Sequence, residues 1–388
     1  MTSIPPSVGV ERRTSLEMIC PYEPGKPIEE VRRELGLESV IKLASNENPM
    51  GPSRKVVETL NQSSLDLHMY PDCEGWYLRE ELSAHLGVPA DWLLLGAGSA
   101  ELMRLIADAY LDHGLEAIVT DICFPVYAQV TRIAGAEPVE VPLSDDLQID
   151  LERVLAAVTP RTKAVFLASP NNPTGRAIPP EDLFRFVEAL PPEIVFVLDL
   201  AYWEYMQASC RFDPIELVRK HGNVVLLRTF SKVYGLAGLR IGFAVANPDV
   251  ITWLSRIRIP FNTSTAAQLA ARVGLQDAAH VAESVALNAR SRDRLMRELA
   301  ALDLSPIPTE ANFVLVDLKR PTEPIFEGLL RAGIVVRPVR TPRLATCLRI
   351  TTGTDRQMDV LMGALRGVLG KARQTSPRRD SVGAMAKR

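Results

Sequence analysis

Cysteine is scarce in this chain, with five in 388 residues. Cys20, Cys73, Cys123, Cys210 and Cys347 are scattered, odd in number and form no CxxC pair. That pattern argues against a disulfide framework and for free thiols in a reducing cytoplasm. Histidine is equally rare, five residues without HExxH or another metal-ligand spacing, so no metal catalysis is expected. No apolar run approaches the roughly 20 residues that cross a bilayer. The opening MTSIPPSVGVERR has no apolar h-region, so no secretory signal is expected either. An excess of charge is also missing. The 44 Lys and Arg against 47 Asp and Glu leave a net charge of -3, without the basic face that nucleic acid needs.

What is present is an ordinary soluble composition, 47% hydrophobic and 23% charged. The chain is too long for one small core and points to two domains, or one large domain with an appendage. Between about residues 90 and 245, apolar runs alternate with helical patterns such as 100–111 and 180–190. The runs are WLLLG, AIVTD, KAVFLAS, EIVFVLDL, NVVLLRT and RIGFAVA. Short and rich in Val, Ile and Leu, they read as strands buried on both faces, and their alternation with helices predicts an α/β layer with a mostly parallel sheet. A helix VAESVALNARSRDRLMRELAAL then carries Val281, Val285, Leu295, Leu299 and Leu302 at roughly helical spacing. NFVLVDL, EPIFEGLLRAG, IVVRPV, CLRITT and DRQMDVLMGALRGVLG after it predict a smaller α+β domain.

Ligands of open parallel sheets sit beyond the carboxyl ends of the strands, and the polar residues there are unusual in kind. Gly98 and Ser99 follow WLLLG and open a helix whose unpaired N–H groups and dipole suit an anion. PNNPTG, residues 170–175, follows KAVFLAS and presents the Asn172 amide. Asp199 ends EIVFVLD, and Tyr202 stands three residues on. A carboxylate there is costly to desolvate unless it meets a cation or a protonated ring nitrogen. After NVVLLR come Thr229, Ser231, Lys232 and Arg240: hydroxyls and a guanidinium for a phosphate, and an amine for a carbonyl. Each motif alone also reads as an ordinary cap, turn or ion pair. Together, and in this order, they fit a ligand with a phosphate, an aldehyde and a basic ring nitrogen, which is pyridoxal 5′-phosphate.

At these residues the chain resembles the fold type I aminotransferases of the class I/II superfamily, and most of all the histidinol-phosphate aminotransferase branch. The likeness runs from PYEPGKPIEEV and SNENPMGPS through YPD, SPNNPTG, DLAYWEY and RTFSKVYGLAGLRIGF to NFVLVDL and LRITTGT. The resemblance implies that Lys232 bears the cofactor and that Asp199 pairs with its ring nitrogen. Asn172 and Tyr202 would hold the phenolic oxygen, and Tyr127 would stack on the ring. The backbone at Ser99 and Ala100, with Thr229, Ser231 and Arg240, would hold the phosphate. Tyr70 would reach that phosphate from the partner subunit of a homodimer. Tyr22, Asn46, Arg337 and Arg349 would contact the substrate, although Arg337 also reads as a surface ion pair.

Two departures stand out. Leu200 replaces the acid usual after the aspartate, and VRPVRTPRLATCLRIT lacks the Tyr-Gly-Leu-Pro loop between the two arginines, carrying Arg340 and Arg343 instead. The expected organisation is a disordered 1–14, an arm 15–45 joining the small domain, a large cofactor domain 46–275, a small domain 276–370 and a disordered basic tail 371–388. The expected activity is ping-pong transfer between an amino donor, histidinol phosphate or an aromatic amino acid, and a 2-oxo acid such as 2-oxoglutarate. A decarboxylase or lyase on the same scaffold and an aminotransferase for another amine are the alternatives among enzymes. An aminotransferase-like regulator is the alternative outside them, and it would need a DNA-binding domain for which the forty residues before KLASNENP are too few.

Overall fold

The computed structural model describes residues 13–19, 21 and 25–375, with side chains through residue 370. After strand β1 (Ile41–Lys42), seven strands build the large sheet: β2 (Leu93–Gly96), β3 (Glu116–Thr120), β4 (Glu137–Val141), β5 (Thr162–Ala168), β6 (Val195–Asp199), β7 (Val224–Thr229) and β8 (Gly242–Ala246). Their order is β2-β8-β7-β6-β5-β3-β4. Only β8 runs against its neighbours. The six apolar runs are all strands. The seventh strand, EPVEV, lies at the sheet edge with both glutamates exposed and only Pro138 and Val141 buried, so it lacks the continuous apolar signature of a central strand. Both faces of the sheet are covered: Val224 and Leu226 point into one hydrophobic cluster, Val225 and Leu227 into another.

Downstream, β10 (Phe313–Asp317) is flanked by β9 (Ser305–Pro306) and β13 (Cys347–Thr351), and β13 by β12 (Arg337–Pro338), all antiparallel. The run IVVRPV is divided between two partners: β11 (Ile334–Val335) pairs in parallel with β1, and β12 pairs with β13. The segment after β1 is therefore tied to the small sheet, and Leu43 lies in its core. The long helix Ala278–Ala300 serves both cores. Val281 and Val285 pack against the large one, Leu295 and Leu299 inside the small one.

Candidate active site

The carboxyl ends of the parallel strands and the segment after β1 enclose a cleft of about 260 Å³. At one end is an anion cradle. Gly98 adopts φ +80° and leads into the helix Ser99–Tyr110. A Cβ on Gly98 would lie 2.3 Å from Arg240 Nη2, so only glycine lets the guanidinium lie this close to the helix start. Arg240 also donates to Ser231 Oγ (3.2 Å) and to Ala237 O (3.0 Å). Thr229 Oγ1 accepts from Ser231 N at 3.1 Å, bending the chain after β7 so that both hydroxyls border the cleft. The Glu101 carboxylate, in the first turn of the helix, accepts from Ala97 N and from Asn262 Nδ2 and holds the turn from behind.

At the floor, Asp199 closes β6 and is buried. Its Oδ2 accepts from the Tyr127 hydroxyl at 2.7 Å and its Oδ1 from Ala201 N at 3.0 Å. Burial pushes this carboxyl up to about 6, with the Tyr127 and Ala201 bonds and the Lys232 charge working the other way. At pH 7 it is still mainly ionised, a negative charge kept in the cleft. Lys232, three residues after β7, donates to Ser45 O at 3.2 Å, with its Nζ 5.6 Å from the centre of the Tyr202 ring. Burial, and then the positive charge of Arg349, lower its amine to about 8. Roughly a tenth of the amine is then neutral at pH 7, far more than for an ordinary lysine.

The remaining wall joins the two sheets. Arg349 on β13 donates to Asn172 Oδ1 and to Ala44 O, both at 2.6 Å, and its Cζ lies 5.3 Å from the centre of the Phe313 ring. Asn46 donates from Nδ2 to the Tyr202 hydroxyl at 2.9 Å, and Tyr202 packs edge-on against Phe313. Lys232, Asp199, Tyr202, Asn172, Ser99, Ala100, Tyr127, Thr229, Ser231, Arg240, Asn46 and Arg349 thus border one cavity, although they are drawn from residues 46 to 349.

Other residues lie elsewhere. Tyr70 is 81% exposed and stacks on Phe261 of its own chain, with ring centres 4.5 Å apart. Arg337 is half-buried on β12, as the register partner of Arg349. Tyr22 lies outside the described residues. Arg343 is turned away from the cleft: it donates to Leu143 O at 2.8 Å and to Ser144 O, while the neighbouring Leu344 packs with Ile122, Leu143 and Leu315. The loop that departs from the family pattern therefore ties the small sheet to the large domain. Leu200 is fully buried in the large core, and its N–H reaches Leu227 O at 2.9 Å, which suits an apolar residue there.

Several participants escaped the sequence reading. The resemblance puts Tyr127 on the ring face; in the structure it borders the cleft with its hydroxyl on Asp199 and its ring against Phe166, with centres 5.8 Å apart. The half-buried Phe124, just before the helix that carries Tyr127, also borders the cleft. Its position in FPVY, three residues before Tyr127, was a usable signal. Ser45 acts through its carbonyl and leaves no side-chain signal at all.

The donor set fits pyridoxal phosphate: an amine of lowered basicity, a buried carboxylate, and a cradle whose glycine cannot be replaced without displacing an arginine. A family model described as aminotransferase class I and II matches residues 38–365. The chain is 43% identical over 358 residues to a histidinol-phosphate aminotransferase of Moorella thermoacetica, covering 92% of each protein. It is 42% identical over 353 residues to one of Anaeromyxobacter, covering 91% of this chain and 97% of the relative. A crystal structure of histidinol-phosphate aminotransferase from Sinorhizobium meliloti, in complex with pyridoxal-5′-phosphate, superposes with a TM-score of 0.87. It is 31% identical, over 94% of this chain and 99% of that one.

Proposed function

The chain belongs to the aminotransferase class I and II family, and from that premise we propose that it moves the amino group of histidinol phosphate to a 2-oxo acid such as 2-oxoglutarate, with pyridoxal 5′-phosphate as cofactor. One observation carries the reading: the Lys232 amine, the Asp199 carboxylate and the Gly98–Arg240 cradle open into the same cavity. Bound there, the cofactor supplies an aldehyde for the amine and a ring that takes up the electron pair left at the donor's α-carbon.

The chain's own groups divide the rest of the work. The N–H groups of Ser99 and Ala100, with Thr229, Ser231 and Arg240, hold the phosphate dianion. Asp199, oriented by Tyr127 and the Ala201 N–H, keeps the ring nitrogen protonated. Asn172 and Tyr202 hold the phenolic oxygen, and Phe124 covers a ring face beside Tyr127. The neutral Lys232 amine takes the proton from the donor's α-carbon. Arg349, with Arg337 beside it on the next strand, binds the anionic end of the substrate, a phosphate on the donor and a carboxylate on the acceptor. Asn46 steadies the substrate side of the cleft.

Tyr70 completes the phosphate site of a second copy, making the enzyme a homodimer. Support comes from the exposure of the large apolar side chains Leu67, Met69, Tyr70 and Ile259. Its compartment on this reading is the cytoplasm. Among the described residues no helix is long and apolar enough to cross a membrane.

An amino-donor screen tests the assignment, run on protein whose solution mass has first been compared with twice 42.8 kDa. Histidinol phosphate is expected to react with 2-oxoglutarate by ping-pong kinetics, whereas transfer from aromatic amino acids alone would discard the donor. A monomeric active enzyme would remove Tyr70 from the site. A second expectation comes from the lowered Lys232 amine. Attachment of pyridoxal phosphate to the cofactor-free protein, followed by absorbance, should speed up about tenfold per pH unit up to about pH 8 and then level off, because only the neutral amine attacks. A rate still climbing near pH 10 would contradict the lowered basicity.

A further inference from the structure

Asn46 is fully buried and holds a left-handed backbone, φ 56°, uncommon for a residue other than glycine. Its neighbours impose this conformation. The Asn46 N–H donates to Thr351 Oγ1 at 3.0 Å, and the Asn46 carbonyl accepts from Asn312 Nδ2 at 3.0 Å. The side chain lies in the same frame, with Thr351 Oγ1 at 3.2 Å from Asn46 Oδ1 and Asn46 Nδ2 at 2.9 Å from the Tyr202 hydroxyl.

Counting protons gives this chain of bonds a direction. Thr351 Oγ1 accepts from the Asn46 backbone, so its own proton is available for Asn46 Oδ1, an atom that can only accept. With Oδ1 turned to Thr351, the amide presents N–H donors to Tyr202. An amide nitrogen offers no acceptor, so the Tyr202 oxygen accepts, and its own O–H proton is directed to a different acceptor. Tyr202 borders the cleft shared by Lys232 and Asn172.

We propose that Thr351 is a positioning residue that acts through Asn46 to make Tyr202 a hydrogen-bond donor toward the phenolic oxygen of the cofactor, an inference that rests on the function proposed above. A donor on that oxygen stabilises its ionised form. The groups that also act on this part of the cleft are Lys232 after β7, Asp199 on β6, Glu47 after β1, Tyr127, Tyr205, Arg240, and Arg349 on β13. All of them remain in a Thr351→Val protein, so a change in titration reads the hydroxyl itself. Without that hydroxyl the Asn46 amide can turn over, Oδ1 then faces Tyr202, and the tyrosine proton is drawn away from the cofactor.

The test is a spectrophotometric pH titration of the visible band of the cofactor-loaded protein. The Thr351→Val protein is expected to titrate roughly 1 pH unit higher than wild type, and Thr351→Ser close to wild type. In a Tyr202→Phe background the Thr351→Val change is expected to add nothing, because the two act in series. An unmoved midpoint in Thr351→Val overturns the proposal, as does an additive shift in the double variant. Thr351→Ala carries the same expectation if the valine protein cannot be loaded. A wild-type protein with no visible band would overturn the functional reading itself, and the relay with it. A normal wild-type band with an unmoved variant midpoint removes the relay alone.

Discussion

Lys232→Ala protein, loaded with pyridoxal phosphate and given histidinol phosphate and 2-oxoglutarate, is expected to turn over ~10⁴-fold more slowly than wild type or not at all. On the proposed mechanism two functions are lost together: the amine that forms the covalent bond and the base that takes the α-proton. No neighbour can replace it. The other nitrogens in contact with this part of the cleft are guanidiniums or amides, which are poor bases at neutral pH. Lys232→Arg separates charge from chemistry, since it keeps a cation near Ser45 O and still cannot serve as a neutral nucleophile. It is expected to be equally inactive. Borohydride reduction of loaded wild type followed by peptide mass mapping should find the pyridoxyl group on Lys232. Turnover near the wild-type rate in the alanine protein would remove this lysine from the mechanism.

Asp199→Asn is expected to separate binding from catalysis. The phosphate cradle and Lys232 are intact, so the protein should still turn yellow on loading. Its turnover number should fall by roughly 10²–10³, because a neutral amide replaces the buried charge-assisted partner proposed for the ring nitrogen. The same substitution should stabilise the cofactor-free protein. Burial raises this carboxyl from 3.8 to about 6, so the folded state holds the proton more tightly than the unfolded chain does. The contribution of this group is then fully favourable below about pH 4 and is lost as the pH rises through about 6. At pH 7 wild type bears a penalty on the order of 2–3 kcal/mol that an asparagine escapes. Denaturant melts of the two cofactor-free proteins at pH 4 and pH 7 read it directly: a gap expected at neutral pH should close in acid. A gap that is the same at both would mean that the aspartate is not desolvated as the structure has it. An asparagine protein with full turnover would disprove its role at the ring nitrogen.

The chemistry of this site was unusually legible because its reactive side chains follow apolar strands directly. Asp199 ends β6, Lys232 stands three residues past β7 and Ser99 three past β2, so a reader who finds the strands finds the groups. EPVEV escaped because this edge strand exposes Glu137 and Glu140 and looks like a loop with two glutamates. The direction of Arg343 was not legible, because an arginine in a strand-to-strand loop carries no sign of where it points; two carbonyls of the large domain hold it away from the cleft.

By itself, then, the order of residues determined the layered α/β plan and the kind of ligand, and singled out the amine and the acid proposed to handle it, since apolar periodicity and side-chain chemistry are local properties. Only the folded chain decided the directions. Asn46 meets Thr351 across 305 positions, Lys232 meets the Ser45 carbonyl across 187, and Tyr127 meets Asp199 across 72. Which atom donates, which accepts and how far burial moves a proton's affinity depend on partners that distant in the chain, and no local pattern records them.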